Sequence, residues 1–148
     1  MSTGIERLRS ECVARIVADV DADLADYRLL IETLDTLHLA LVNEQLDALA
    51  RAHDRAAKLV SRLHVRARRR VQCLVQAFGE AAADTMAPVL QWLDAPARQT
   101  FSERWQTLQA SAARCKASNT RNLQDIGTRL QALDVVLSPV RATYSPSR

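Results

Sequence analysis

The sequence predicts an all-α protein, a single domain over residues 1–148 in which three long antiparallel helices and one short helix form a bundle or hairpin. Apolar residues make up 48% of the chain, whereas aromatic residues make up 4%, with three Gly and four Pro. β-Sheet domains need more turn residues and favour aromatic and β-branched side chains. Apolar positions also recur at steps of three and four, which is typical of amphipathic helices.

The first two helices come from a long segment without helix breakers. No Gly or Pro occurs between Gly4 and Gly79, over 74 residues. One helix of that length would extend ~110 Å at ~1.5 Å per residue, which is too long for a compact domain. We expect the chain to fold back at Asn43, which can cap a new helix while Glu44 and Asp47 place negative charge in its first turn. A continuous helix, or a break elsewhere, is the alternative.

The charge distribution favours the fold-back. Residues 5–42 hold eight acidic and four basic residues, and residues 43–78 hold three and eight. Folding at Asn43 brings the acidic flank of the first helix against the basic flank of the second. The expected register places Asp35 beside Arg51, Asp26 beside Val60, Asp23 beside Arg62 or Leu63, and Asp19 beside Arg66 or Ala67. Exposed pairs contribute only ~0–1 kcal/mol each, so we expect them to select the register more than to stabilise it.

The second half holds one short and one long helix. Gly79 is expected to end the second helix, and Asp94 with Pro96 forms a typical helix start. Ser138–Pro139 is the expected end of the last helix, and the residues after it lack periodicity, which indicates a flexible tail. The predicted elements are helices over 5–42, 44–78, 84–93 and 97–137, and a tail over 138–148.

Nothing in the chain indicates catalysis, a cofactor or a metal site. The three His and three Cys are not spaced as metal ligands, and no Gly-rich phosphate loop or nucleophile motif is present. Three Cys without a secretion signal are expected to be reduced thiols in a cytoplasmic protein. No apolar run approaches the ~20 residues that span a bilayer, so we expect no membrane insertion.

The run "RLHVRARRR", residues 62–70, has two interpretations. Clustered Arg side chains can bind phosphates with salt-dependent affinity. Alternatively, they form a solvated helix face that pairs with the acidic first helix. No aromatic residues interleave to stack bases, so we favour pairing and expect no nucleic-acid partner.

The last long helix carries an apolar stripe interrupted by two amides. The stripe comprises Phe101, Trp105, Leu108, Ala112 and Cys115, and then Ile126, Leu130, Leu133 and Leu137. Between its two halves, the same spacing falls on Asn119 and Asn122. A buried Asn in a helical seam fixes register or partner choice. The two amides therefore either specify the register within the bundle or contact the helix or backbone of a partner.

Several of these segments resemble the FlgN family of flagellar and type III export chaperones. They are "ETLDTLHLALVNEQLDALARAHDRAAKLVSRL", "MAPVLQWLDAPARQTFSERWQTLQ", the pair Asn119 and Asn122 followed by Ile126, and the tail "TYSPSR". The resemblance covers nearly the whole chain, with Leu123 standing where the family usually has Gly. It implies a cytoplasmic chaperone that holds hook–filament junction proteins and delivers them to the export gate.

The resemblance also implies a site on the last helix that receives an amphipathic helix of the substrate in an apolar groove. Its expected residues are Asn119, Asn122, Ile126, Leu130, Leu133 and Leu137, with Tyr144 as a contact for the export gate. A structural coiled-coil component of an export apparatus and a basic helical nucleic-acid-binding protein are the alternatives. The sequence leaves open whether the export system is flagellar or virulence-type, and whether two copies pair as a homodimer to cover the stripe.

Overall fold

The computed structural model describes the backbone of residues 3–143 and the side chains of residues 3–135. Within these bounds the chain forms helices and no strands, so the predicted all-α class is confirmed. The elements are α1 (Gly4–Val42), α2 (Leu46–Phe78), a 3₁₀ turn (Glu80–Ala82), α3 (Ala87–Trp92) and α4 (Ala95–Thr143). None of the helices is long and apolar enough to cross a bilayer, over the residues that the structure describes.

Local sequence signals account for several helix ends. Thr3 and Glu6 form a capping box at the start of α1, in which each side chain accepts a hydrogen bond from the backbone N–H of the other. Gly79 ends α2 with a φ of 94°, a conformation that glycine adopts without strain. The Asp94 carboxylate accepts a hydrogen bond from the Ala97 N–H at 3.0 Å. The predicted stop at Gly79 and the predicted start at Asp94 are both confirmed.

The chain folds back where the sequence predicts, but Asn43 does not cap α2. Its backbone N–H continues the hydrogen bonding of α1, so Asn43 ends that helix. Glu44 then takes a positive φ of 56°, and the Gln45 N–H bonds to the Ala40 carbonyl at 2.9 Å. Because the N–H groups of Asn43 and Gln45 bond back to carbonyls of α1, α2 begins at Leu46 and not at residue 44.

The bounds of α3 and α4 also differ from the prediction. Element α3 begins at Ala87 instead of residue 84, and the Thr85 hydroxyl accepts a hydrogen bond from the N–H of Ala87, its first residue, at 3.1 Å. Element α4 begins at Ala95 and continues through Pro139 to Thr143, so the predicted stop at residue 137 is wrong. Proline has a helix-compatible φ, and its missing N–H removes one backbone hydrogen bond near this end of α4. Residues 144–148 of the predicted tail lie outside the described residues.

Helix α1 lies between the other two long helices. Helix α2 returns antiparallel to it, whereas α4 runs parallel to α1 on another side. An Arg104–Asp21 contact at 3.0 Å and an Arg129–Glu44 contact at 3.3 Å give the direction, because both residue numbers rise together. The end of α1 and the hairpin turn therefore lie level with the stretch of α4 near Arg129.

Two apolar clusters form the core, and an ionic layer separates them. Residues of the first cluster include Cys12, Val13, Ile16, Val20, Leu74, Ala77, Val89, Phe101 and Leu108. Residues of the second cluster are Leu30, Leu34, Leu59, Leu63 and Cys115. Between them, the ionic layer joins Asp19, Asp23 and Asp26 of α1 to Arg62, Arg66, Arg69 and Arg70 of α2.

The ionic layer confirms the predicted charge match between α1 and α2 but not its register or its exposure. Asp19 contacts Arg69 at 2.7 Å, and Asp23 contacts Arg70 at 3.0 Å, several positions further along α2 than expected. The turn, which extends to Gln45, displaces α2 in this direction. All three aspartates of the layer are buried, so the prediction of exposed pairs is wrong.

Candidate functional site

Helix α4 reaches the tip of the α1–α2 hairpin and continues beyond it. Arg129 and Leu133 line a cavity with Glu44, Leu46 and other residues of the tip. From Leu133 the helix continues to Thr143, a distance of about 15 Å at ~1.5 Å per residue. Helix α4 therefore extends past the residues that line this cavity.

The apolar stripe of α4 is buried in its first half and exposed in its second. Phe101, Leu108 and Cys115 are buried in the two core clusters. Leu130 and Leu133 are 60% and 52% exposed. Scattered exposed leucines are ordinary on a protein surface, but these two are consecutive members of one stripe, so the apolar face of α4 is open to solvent along them.

Asn122 is a contact within the bundle. It is 2% exposed, its Nδ2 donates to the Leu34 carbonyl at 3.2 Å, and its Oδ1 lies 3.2 Å from Nδ1 of His38. Since the amide nitrogen is the donor to Leu34, the Oδ1 atom is the acceptor that faces His38. The same His38 nitrogen lies 3.4 Å from a carboxylate oxygen of Asp125. This arrangement is the one expected of an Asn that specifies helix register.

Asn119 has a different environment. It is exposed and lies at the rim of a cavity of about 420 Å³ that is bounded by α1, α2 and α4. Leu34 of α1 contributes to the wall of this cavity, with Ala56 and Val60 from α2 and Ala112 from α4. Alanine is a small side chain, and Ala56 of α2 and Ala112 of α4 are both half-buried in this lining.

A second cavity, of about 640 Å³, follows along the same helices at the hairpin tip. Ala40 and Leu41 of α1, Leu49 of α2, and Ala132 and Leu133 of α4 contribute to its walls. Large aliphatic side chains are exposed around this tip: Leu39, Val42 and Leu46. The two cavities and the exposed stripe together give the C-terminal half of α4 an apolar surface, which we call the distal apolar face.

Three predicted site residues remain, namely Ile126, Leu137 and Tyr144. Ile126 is half-buried between Asn122 and Leu130. Leu137 belongs to α4, but its side chain is beyond the part that the structure describes. Tyr144, the predicted contact for an export gate, lies outside the described residues altogether.

Sequence reasoning missed several members of the distal apolar face. Leu123 is 59% exposed and lies four positions after Asn119 and seven before Leu130, so it shares their side of the helix. The aliphatic residues of the tip were missed because the sequence around Asn43 was considered only for helix capping and not as part of a binding surface. Their signal was present in "LVNEQL", where apolar side chains continue up to and directly after a turn.

Most of the basic run is neutralised inside the ionic layer. Arg66 bonds to both Asp23 and Asp26, and these contacts raise the pKa of the Arg66 guanidinium, outweighing the lowering effect of its burial. Arg70 bonds to Asp23 and also lies over the ring of Trp105, 5.4 Å from its centre. A guanidinium that is already paired has less charge available for a phosphate, so the pairing interpretation accounts for this part of the run.

The thiols are packed in the core. Burial is the main cause that raises the pKa of Cys12 to about 12, with a contribution from the neighbouring Cys73 thiol. Burial likewise raises the pKa of Cys115. A protonated, buried thiol is a poor nucleophile. Over residues 3–143, no three His, Cys, Asp or Glu side chains are grouped as a metal site would require.

Comparison with known proteins gives one result for nearly the whole chain. A family model described as FlgN protein matches residues 13–147. No curated protein sequence and no solved structure gives a significant match.

Proposed function

Because the chain belongs to the FlgN family of flagellar export chaperones, we propose that it binds a helical terminal segment of hook–filament junction proteins. On this proposal it holds the segment in the cytoplasm and delivers the substrate to the export gate. Tyr144 is proposed as a contact for that gate. The work is binding, without a chemical step.

The observation that carries the proposal is the change along α4 from a buried to an exposed apolar stripe. Before Asn122 the stripe packs against the chain's own helices, and after it Leu130 and Leu133 are exposed. An amphipathic helix of a substrate can cover such a face with residues at steps of three and four. Burial of one leucine contributes about 1.5–3 kcal/mol, so a few such contacts supply useful affinity.

The two asparagines have different proposed roles in this site. Asn119 lies exposed on the rim of the groove, where its amide can bond to the substrate helix. Asn122 supports the site from below, because its amide holds α4 against Leu34 and His38 of α1. Leu123 is added to the proposed contact surface, together with the aliphatic residues of the hairpin tip.

Calorimetry with the terminal segment of the hook–filament junction proteins from the same genome tests the proposal. The variants are Leu130→Asp and Leu133→Asp, and the control is Gln124→Asp, an exposed α4 residue outside the apolar stripe. Each leucine variant is expected to raise Kd at least about tenfold, because a lost buried leucine costs more than ~1.4 kcal/mol. The control is expected to bind as the parent protein does.

Circular dichroism establishes that each variant remains helical. Undiminished affinity in both leucine variants would contradict the site. No affinity of the parent protein for the segment would contradict the function and would favour a structural coiled-coil component instead.

A further inference from the structure

A strip of basic side chains follows the outer side of α2. Its members, Arg51, Arg55, Lys58 and Arg62, recur at steps of four, three and four, which places them on one face of the helix. All four are exposed. Arg62 bonds to Asp26 at 3.0 Å, whereas no acidic side chain pairs with the other three among residues 3–135.

A groove of about 350 Å³ runs beside this strip between α1 and α2. Leu29 and Leu59 give it an apolar floor, and Leu29 is 48% exposed. The wall on α2 is basic, whereas the wall on α1 carries Glu32. No residue of α4 lines the groove in the part of the chain that the structure describes, so the groove and the distal apolar face are separate surfaces.

We propose that this outer groove binds an acidic amphipathic helix of a partner protein. The aliphatic side of such a helix would cover Leu29, beneath which Leu59 is buried, and its carboxylates would pair with Arg55 and Lys58. From residue 51 to residue 62 the basic strip extends about 16 Å at ~1.5 Å per residue, which is three turns of a partner helix. Carboxylates at the same steps of three and four would meet the strip.

The asymmetry of the groove favours a protein helix over a uniformly anionic partner. A nucleic-acid backbone or an anionic lipid surface would place negative charge against Glu32 as well as against the basic wall. Either partner would also leave the leucine floor without apolar contacts. A helix with acidic residues on one flank and aliphatic residues beneath would pair with the basic wall, keep its carboxylates away from Glu32 and pack on the apolar floor.

The proposal goes beyond substrate binding and does not depend on it. Since α4 contributes nothing to the groove, the partner helix and an exported substrate can bind the same chaperone at the same time. The outer groove is thus a second docking surface that stays accessible on the loaded chaperone.

Fluorescence anisotropy with the full chain tests the proposal. The probes are two synthetic amphipathic peptides with identical leucine positions, one with Glu and one with Lys on the flank. We expect the Glu peptide to bind at least about tenfold tighter than the Lys peptide. Arg55→Glu and Lys58→Glu are each expected to weaken the Glu peptide severalfold and to strengthen the Lys peptide, because opposite charges become like charges.

Arg68→Glu is the matched control, since it makes the same charge change at an exposed residue of α2 outside the groove. It is expected to leave both affinities nearly unchanged. Leu29→Ser is expected to weaken the Glu peptide severalfold without a change of charge. That loss separates docking on the leucine floor from attraction to any acidic chain.

Equal affinity for the two peptides would overturn the proposal, and so would equal effects of Arg55→Glu and Arg68→Glu. Tighter, Arg55-dependent binding of duplex RNA or phosphatidylglycerol vesicles than of the Glu peptide would also overturn it, in favour of a polyanion. Because the probes contain no exported sequence, these results are independent of whether the distal apolar face binds a substrate.

Discussion

Replacing Asp23 by Ala is expected to destabilise the protein strongly, because it removes a buried charge that two arginines share. Asp23 is 1% exposed and accepts hydrogen bonds from Arg66 and Arg70. Without it, Arg66 keeps its bond to Asp26, but Arg70 keeps only its contact with the Trp105 ring among the described residues. Removing one partner of a buried ion pair costs about 3–5 kcal/mol.

Asp21→Ala is the matched control. Asp21 lies two positions earlier on α1 and contacts Arg104 at 3.0 Å, but these two side chains are 50% and 45% exposed. Such an exposed pair contributes ~0–1 kcal/mol. Both substitutions also gain up to ~0.7 kcal/mol of helix propensity, which cancels in the comparison. The expected difference between the two variants is about 3 kcal/mol.

Urea unfolding followed by circular dichroism measures both free energies of unfolding by linear extrapolation. At about 1 M NaCl the ion-pair contribution to the effect of Asp21→Ala should vanish, since salt screens exposed charges, whereas the loss caused by Asp23→Ala should persist. A loss below about 1 kcal/mol for Asp23→Ala, or a loss no larger than that of Asp21→Ala, would refute the burial of this layer.

Three other predictions concern stability. Asn122→Ala is expected to lower the free energy of unfolding by about 1–2 kcal/mol, because it removes buried hydrogen bonds to α1. Asn119→Ala should be nearly neutral. Equal losses for the two variants in urea unfolding would contradict the different environments of the two amides. Gly79→Ala should destabilise by about 1 kcal/mol through its φ of 94°. In contrast, Gly127→Ala should stabilise by about 1 kcal/mol, because Gly127 lies inside a helix with no neighbouring atom within 4 Å of the added methyl group. If both substitutions changed the free energy of unfolding in the same direction, this reasoning would be contradicted. Burial raises the pKa of Cys12 from 9.0 to about 12. The contribution of the protonated thiol to stability is therefore present below about pH 9 and is lost as the pH rises towards 12. Between pH 9 and 12, the free energy of unfolding of Cys12→Ala should fall less steeply with pH than that of the parent protein.

Short segments of the sequence were enough to predict the helices and the positions at which the chain reverses direction. Gly79 and Asp94 act on their own neighbours, so their effects need no knowledge of the rest of the fold. Asn43 marks the correct region, but whether it ends one helix or starts the next depends on which backbone hydrogen bonds it and its neighbours make. The structure resolves this through the bond from Gln45 to Ala40.

The sequence predicted which face of α4 carries the candidate site, but it did not predict which residues on that face are exposed. Spacing alone places Asn119 and Asn122 on the apolar side of α4 and treats them alike. Their environments differ because Asn122 meets the Leu34 carbonyl on α1, and Asn119 faces the gap between α2 and α4. The local sequence of α4 carries no information about where the neighbouring residues of α1 and α2 lie.

The sequence by itself determined the all-α class, the three long helices, the hairpin and the match of acidic α1 with basic α2. These features depend on periodicity, helix signals and charge sign, which are local properties of the chain. The tertiary structure alone decided which charges are buried and which half of the α4 stripe remains exposed. Burial depends on the relative lengths and registers of helices that are distant in sequence. The same apolar spacing forms core before Asn122, whereas Leu130 and Leu133 after it are exposed beside the hairpin tip.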